Sequence, residues 1–188
     1  MKNLFLLTFL LFTFNSFAQK PCEYSANVTD SIGTYKATKG YIMSEKSMDS
    51  SSSYVFFSLI STDDMPTLNL QLIKKSKNFI SANCFDKNSR LILQLANGKI
   101  VTMYHIDQES CGTLIRGENS SNNRINTGIF MFIKGSIEEL KKSPVTMMRI
   151  KYLNGSEDFV VGNELTSEMD GQKYEPDTFF INTLKCIE

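Results

Sequence analysis

The stretch Arg90-Leu-Ile-Leu-Gln-Leu-Ala-Asn-Gly-Lys-Ile-Val-Thr-Met-Tyr-His-Ile106 holds two apolar runs joined at Asn97-Gly98. That dipeptide accepts the positive φ angles of a type I′ turn, so the stretch reads as a β-hairpin. With Asn97 and Gly98 as the two loop residues, Leu95 faces Ile100, Leu93 faces Thr102 and Leu91 faces Tyr104. Leu91, Leu93, Leu95, Ile100 and Tyr104 then share one apolar face. Arg90, Ile92, Gln94, Val101, Met103 and His105 make the other, mixed face. Continued outward, the same register sets Cys84 opposite Cys111.

The chain has four cysteines, Cys22, Cys84, Cys111 and Cys186. An even count in an exported chain reads as two disulfides with three possible connectivities. The hairpin register favours Cys84–Cys111, which leaves Cys22–Cys186 to tie the N-terminal segment to the C-terminal end. Export is read from residues 1–18. Lys2 gives a positive start, residues 4–14 are almost wholly apolar, and Ser16-Phe17-Ala18 places small residues for cleavage after Ala18. The apolar run falls short of the ~20 residues of a membrane span, and residues 19–21 lack the pattern of a lipidation box. Residues 19–188 are expected to form a single disulfide-stabilised, β-rich domain with no transmembrane segment. Twenty basic residues balance twenty acidic ones, so neither nucleic acid nor an anionic membrane surface is an expected partner.

Outward from the hairpin, the chain reads as short antiparallel strands. Residues 19–32 look irregular and surface-lying. Residues 34–43 read as one strand with a bulge at Gly40, and the serine-rich residues 44–53 as a flexible loop. Residues 54–60 and 67–73 are strands, the second alternating Leu68, Leu70 and Leu72 against Asn69 and Gln71. A weaker strand covers residues 79–85, and a short one follows Cys111. Residues 125–133 turn apolar on both faces, with Ile129, Met131 and Ile133 on one and Phe130 and Phe132 on the other, which predicts a strand buried on both sides. Ser136-Ile-Glu-Glu carries a capping box, predicting a helix over residues 136–142 that Pro144 ends. Residues 145–152 and 158–161 form a second hairpin about Asn154-Gly155, with Met148, Ile150 and Tyr152 inward. A C-terminal helix is predicted near 177–187. The sum is an α+β domain of eight or nine short strands and two helices.

The chemistry-bearing residues are sparse. His105 is the only histidine, and a Cys111–His105 dyad is set aside because Cys111 is read as half of a disulfide and His105 as a half-exposed strand residue beside Arg90. No Gly-x-Ser-x-Gly motif occurs, and one histidine with four half-cystines makes a poor zinc set. Asp63-Asp64, and Asp170 with Glu175 and Asp177, read as solvated turns that lack EF-hand spacing. Glu109, Glu118, Glu157, Glu164 and Glu168 are the acids from which a carboxylate pair for glycoside hydrolysis could be drawn, though their spacing selects none. Tyr41, Tyr54, Phe56 or Phe57, and Tyr174 are candidates for an outward aromatic surface, with core as the alternative. No catalytic, metal or cofactor residue is therefore assigned; the four cysteines are the only site residues.

The run Gly128-Ile-Phe-Met-Phe-Ile-Lys-Gly-Ser-Ile-Glu-Glu-Leu, with Met148-Arg-Ile-Lys-Tyr, Asn154-Gly155 and Leu95-Ala-Asn-Gly-Lys-Ile, resembles small, functionally uncharacterised secreted proteins of Bacteroidota. The resemblance spans residues 68–161 and implies a location at the cell envelope; it carries no site residue. The function expected is a non-catalytic binding or interaction domain, exported to the periplasm or the cell exterior, with a protein or glycan partner. A secreted hydrolase using a carboxylate pair, or a structural envelope protein, is the alternative.

Overall fold

A computed structural model of the chain describes residues 21–117 and 121–188. The expected signal peptide and its cleavage after Ala18 lie outside the described residues, as does Glu118. Three long strands carry the architecture. β4 (Ser51–Thr62) and β5 (Met65–Ser76) pair along their whole length, and β9 (Asn122–Met131) runs antiparallel along the far side of β5. The β4–β5 turn is Asp63-Asp64, at φ 48° and 63°, the left-handed pair that matches strand twist in a two-residue hairpin.

Each outer flank of this trio is lined by two strands in succession. β2 (Thr34–Thr38) and β3 (Tyr41–Met48) pair with opposite ends of β4, and β1 (Tyr24–Thr29) adds to β2. On β9, β8 (Thr113–Arg116) covers the N-terminal end and β7 (Ile100–His105) the C-terminal end. The sheet then continues through β6 (Arg90–Leu95), β10 (Val145–Tyr152) and β11 (Gly155–Val160). It curls far enough for Lys74 of β5 to meet Glu157 of β11 at 3.0 Å and for Lys46 of β3 to lie 4.9 Å over the Phe159 ring. Two short strands, β12 (Leu165–Thr166) and β13 (Lys173–Tyr174), pair separately.

Alternation fills the inside of the curl. Val55, Phe57 and Leu59 of β4, Leu68, Leu70 and Leu72 of β5, and Met148 and Ile150 of β10 are buried in one core, as period-two side-chain placement requires. The C-terminal helical segment closes it. A 3₁₀ turn (Pro176–Thr178), α2 (Phe179–Thr183) and a second 3₁₀ turn (Leu184–Ile187) run on from one another and bury Phe179, Phe180, Leu184 and Ile187. Phe179 and Phe180 reach Phe57 at ring distances of 5.9 and 6.0 Å. The molecule is thus mostly antiparallel sheet, with thirteen strands among the described residues and little helix. Against the expected α+β domain of eight or nine strands and two full helices, the strands are more numerous and the helices shorter, so the sheet dominates.

The central hairpin differs from its expected form by one residue. Ala96, Asn97 and Gly98 make a three-residue loop in which Gly98 N donates to Leu95 O, Leu95 N donates to Lys99 O, and Gly98 has φ 83°. Leu93 therefore faces Val101, and Leu91 faces Met103. Because the side-chain period is two, the slip turns all of β7 over. Val101, Met103 and His105 go inside, while Ile100 (68% exposed) and Tyr104 (39%) go out. The loop is held from outside the hairpin: Ala96 N donates to Pro144 O, and Asn97 N to Ser143 Oγ.

A second one-residue shift, beyond the end of β6–β7, sets up one disulfide. A turn with Ser89 N on Asp86 O interrupts the ladder, and Phe85 and Ser110 then exchange both backbone hydrogen bonds. Cys84 and Cys111 fall at the next pair, where antiparallel strands lie closest, and are bonded to each other. Cys22 is bonded to Cys186. No described cysteine is free, the state that an oxidising compartment maintains. Among the described residues, no helix is long and apolar enough to cross a membrane.

Other expectations change for local reasons. Residues 24–29, expected to be irregular, form β1 on the edge of β2. The serine-rich stretch is a tight hairpin, Met48 opposite Ser51, because partners on both sides satisfy its backbone. Residues 34–43 split into β2 and β3, and the bulge lies between Ile42 and Ser44 rather than at Gly40. Residues 79–85 contribute only a bridge at Phe85. In β9 only Asn126, Gly128 and Phe130 face the core; Met131 and Ile133 are 46% and 42% exposed, so the strand is not buried on both faces. Helix α1 is Ser136–Leu140, shorter than expected. Gly135, at φ 85°, takes the cap position, Ser136 is buried without a side-chain capping bond, and Glu139 pairs with Lys99 of the central hairpin at 2.7 Å.

Candidate ligand cleft

The Cys22–Cys186 bond draws the start of the described chain onto the end of the C-terminal helical segment. Tyr24 reinforces the junction by donating its hydroxyl to Cys186 O at 2.9 Å. Between this junction, the β2–β3 corner and β13 lies a cleft of about 440 Å³, within the size range of small-molecule sites. Phe179, almost fully buried, makes its apolar floor. Tyr41 stands beside it at 5.1 Å between ring centres, and Tyr174 meets Tyr41 edge-to-face at 5.0 Å. Such edge-to-face pairs are favoured by the ring quadrupole and hold both rings in place.

Hydrogen bonds fix the wall further. Glu175 N donates to the Tyr41 hydroxyl at 2.7 Å, and the Tyr174 hydroxyl donates to Asp170 Oδ2 at 2.5 Å. Partial burial and the Asp170 carboxylate push the Tyr174 phenol up to about 12, so this phenol is uncharged at neutral pH. Asp170 in turn sits below the usual carboxylate range, held there first by that phenol and then by Gln172 N.

The charged groups at the rim are matched. Lys39 meets Glu23 at 3.1 Å, and Lys173 meets Glu164 at 3.1 Å. The remaining polar lining is neutral: Thr38, whose Oγ1 accepts from Leu59 N, Gln172, Thr183, and Asn182, whose Nδ2 donates to Thr178 Oγ1. The arrangement presents fixed aromatic surface beside neutral hydrogen-bonding groups, with Glu23 as its one lining carboxylate among the described residues.

The residues weighed from sequence are scattered relative to this cleft. Of the candidate aromatics, Tyr41 and Tyr174 come together in it, whereas Tyr54 and Phe57 are core and Phe56 is half-buried elsewhere. Glu157 is engaged by Lys74 and the Tyr152 hydroxyl. Glu168 and Glu109 are exposed and outside the cleft. Asp63 accepts from Thr34 N, which makes it a turn residue. Among the described residues, no group of three or more His, Cys, Asp or Glu is placed to hold a metal ion. No motif in the sequence marks Glu23, Lys39, Phe179 or Asn182. Only the joining of Cys22 to Cys186 could have drawn attention to them.

His105 is not half-exposed beside Arg90 but 5% exposed in the core. Its ring stacks on Phe85 at 5.5 Å and meets Phe130 at 5.4 Å. Nδ1 lies 3.0 Å from Asp86 O, and because a carbonyl can only accept, Nδ1 carries the proton. Nε2 is then a buried acceptor with no partner among the described residues, and burial lowers the pKa of the ring. Arg90 is on the opposite face of the sheet, 4.2 Å over the Tyr104 ring. Comparisons of the chain with protein-family models, with curated proteins and with solved structures found no match.

Proposed function

We propose that this protein is an exported, non-catalytic binding domain of the cell envelope, acting in the periplasm or outside the cell, and that the cleft beside Cys22–Cys186 is its ligand seat. One observation carries the reading: the cleft is preformed, its aromatic wall immobilised by ring packing and hydrogen bonds and its charges already paired. A preformed site loses little entropy when it is filled. Lys39 and Glu23 neutralise each other at the mouth, and among the described residues the lining supplies no activated nucleophile, which favours binding over turnover.

The test is a fragment titration followed by two-dimensional NMR on isotope-labelled protein, oxidised throughout. The reading expects fragments that combine a ring with a hydroxyl or amide to shift the signals of Tyr41, Tyr174, Gln172 and Asn182 together. Perturbations confined to other parts of the surface would remove the cleft from consideration.

A further inference from the structure

Resting on the cleft-binding reading above, we infer that the ligand class is a neutral saccharide, taken as a short segment or chain end of a glycan. Three features of the lining converge on this class. The first is charge. Lys39 and Lys173, the two cations of the lining, are each matched by a carboxylate, Glu23 and Glu164, at 3.1 Å. An anionic ligand would have to compete with those carboxylates, and a cationic one would meet two lysines. A neutral ligand disturbs neither pair.

The second feature is the kind of polar group on offer. The Gln172 amide and the Thr183 hydroxyl make no side-chain hydrogen bond among the described residues, and Asn182 uses only its Nδ2 internally. Amides and hydroxyls both donate and accept, as sugar hydroxyls do. The third is the aromatic surface. Tyr41 packs beside the Phe179 floor and Tyr174 packs edge-on against Tyr41, and the C–H faces of a pyranose ring are the apolar part of an otherwise hydroxylated molecule. Such a ring satisfies both kinds of lining at once. A purely apolar ligand would strand the amides, and a fully polar one would leave the rings uncovered.

The experiment is a saturation-transfer NMR screen of the oxidised protein against neutral malto-, cello-, xylo-, manno- and N-acetylchito-oligosaccharides, with oligogalacturonate as the anionic comparison. Calorimetry then follows on any that bind. At least one neutral series is expected to bind, with affinity unchanged within about twofold between 0.05 and 0.5 M salt, since no net charge is engaged. Tyr174→Ala is expected to weaken it by about tenfold or more, as loss of an aromatic anchor does. Gln172→Ala and Thr183→Val, which break no internal hydrogen bond, are expected to weaken it by several-fold while leaving the thermal melt unchanged. The inference is overturned if the fragments occupy the cleft but no neutral saccharide binds, if oligogalacturonate binds in preference with a steep salt dependence, or if binding is indifferent to all three substitutions. If fragments also fail to perturb the cleft, the binding reading itself falls.

Discussion

Gly128 offers a sharp test of the core. It sits in β9 between Thr127 and Ile129, and its backbone is not in the left-handed region. On backbone grounds alone an alanine there should stabilise, by roughly 0.4–1 kcal/mol through the unfolded chain. Space argues the other way. A Cβ built on Gly128 would lie 2.9 Å from Phe85 Cδ2, 3.1 Å from His105 Cδ2 and 3.1 Å from Phe130 Cε2. These are ring atoms of side chains that are almost completely buried and packed on one another, so none can swing aside cheaply. Overpacking of this kind costs about 1–3 kcal/mol. Gly128→Ala should therefore destabilise by about 1–2 kcal/mol net, read as a shift of the urea midpoint with unchanged slope. Trimming the obstruction should reverse the sign: in a Phe85→Leu background the same substitution should be close to neutral, a coupling of about 1 kcal/mol or more. A Gly128→Ala protein as stable as the parent, or additive effects of the two changes, would refute the packing argument.

Three further outcomes follow from the fold. The slipped register predicts that Ile100→Lys changes stability by less than about 0.5 kcal/mol, whereas Val101→Lys leaves a buried charge and abolishes cooperative unfolding or costs more than ~3 kcal/mol; the original type I′ register predicts the reverse order in chemical denaturation. His105 should make the protein acid-sensitive. Its folded pKa lies below the ordinary 6.5 because burial disfavours the charged ring, so below pH 6.5 the unfolded chain binds the proton first. Stability should then be complete above pH 6.5 and decline as pH falls through and below that value, with the decline reduced in His105→Gln, as followed by melts from pH 8 to 5. Removing Cys22–Cys186, which spans 164 positions, should cost more than removing Cys84–Cys111, which spans 27. Chain entropy puts the two at about 5 and about 3.5 kcal/mol, and paired Cys→Ser variants compared by urea unfolding would show whether the order holds.

The parts of the fold legible in the sequence are those whose pattern is local and redundant. Leu68, Leu70 and Leu72 alternate so regularly that β5 needs no tertiary information, and Met148, Ile150 and Tyr152 place β10 in the same way. The central hairpin shows the limit. Asn97-Gly98 fits a two-residue turn and, equally, a three-residue loop with Gly98 left-handed. What selects the second is remote in sequence: Pro144 O and Ser143 Oγ hold the loop, and Val101 and Met103 are better core residues than Thr102 and Tyr104. The serine-rich hairpin was hidden for a related reason, since Ser51, Ser52 and Ser53 have little strand preference and depend on β3 and β5 for backbone partners. At α1 the capping-box letters Ser136 and Glu139 are present, but Gly135 turns the chain in first and Lys99 takes the glutamate. The cleft is the least legible feature, because its lining comes from four segments, residues 21–23, 38–41, 172–174 and 179–186, drawn from both ends of the described chain.

That closure also governs how the molecule bears tension. A pull applied between Pro21 and Glu188 reaches Cys22 and Cys186 almost at once, and the load then passes from one sulfur to the other through covalent bonds. The intervening strands, joined laterally by hydrogen bonds that would peel or shear in an open chain, are bypassed. While the bond is oxidised, a protein tethered at one end and engaged at the other would transmit force without losing its sheet, and the cleft against that bond would keep its shape under strain. Reduction would place the same load across β1, an edge strand without a buried residue, and its pairing with β2.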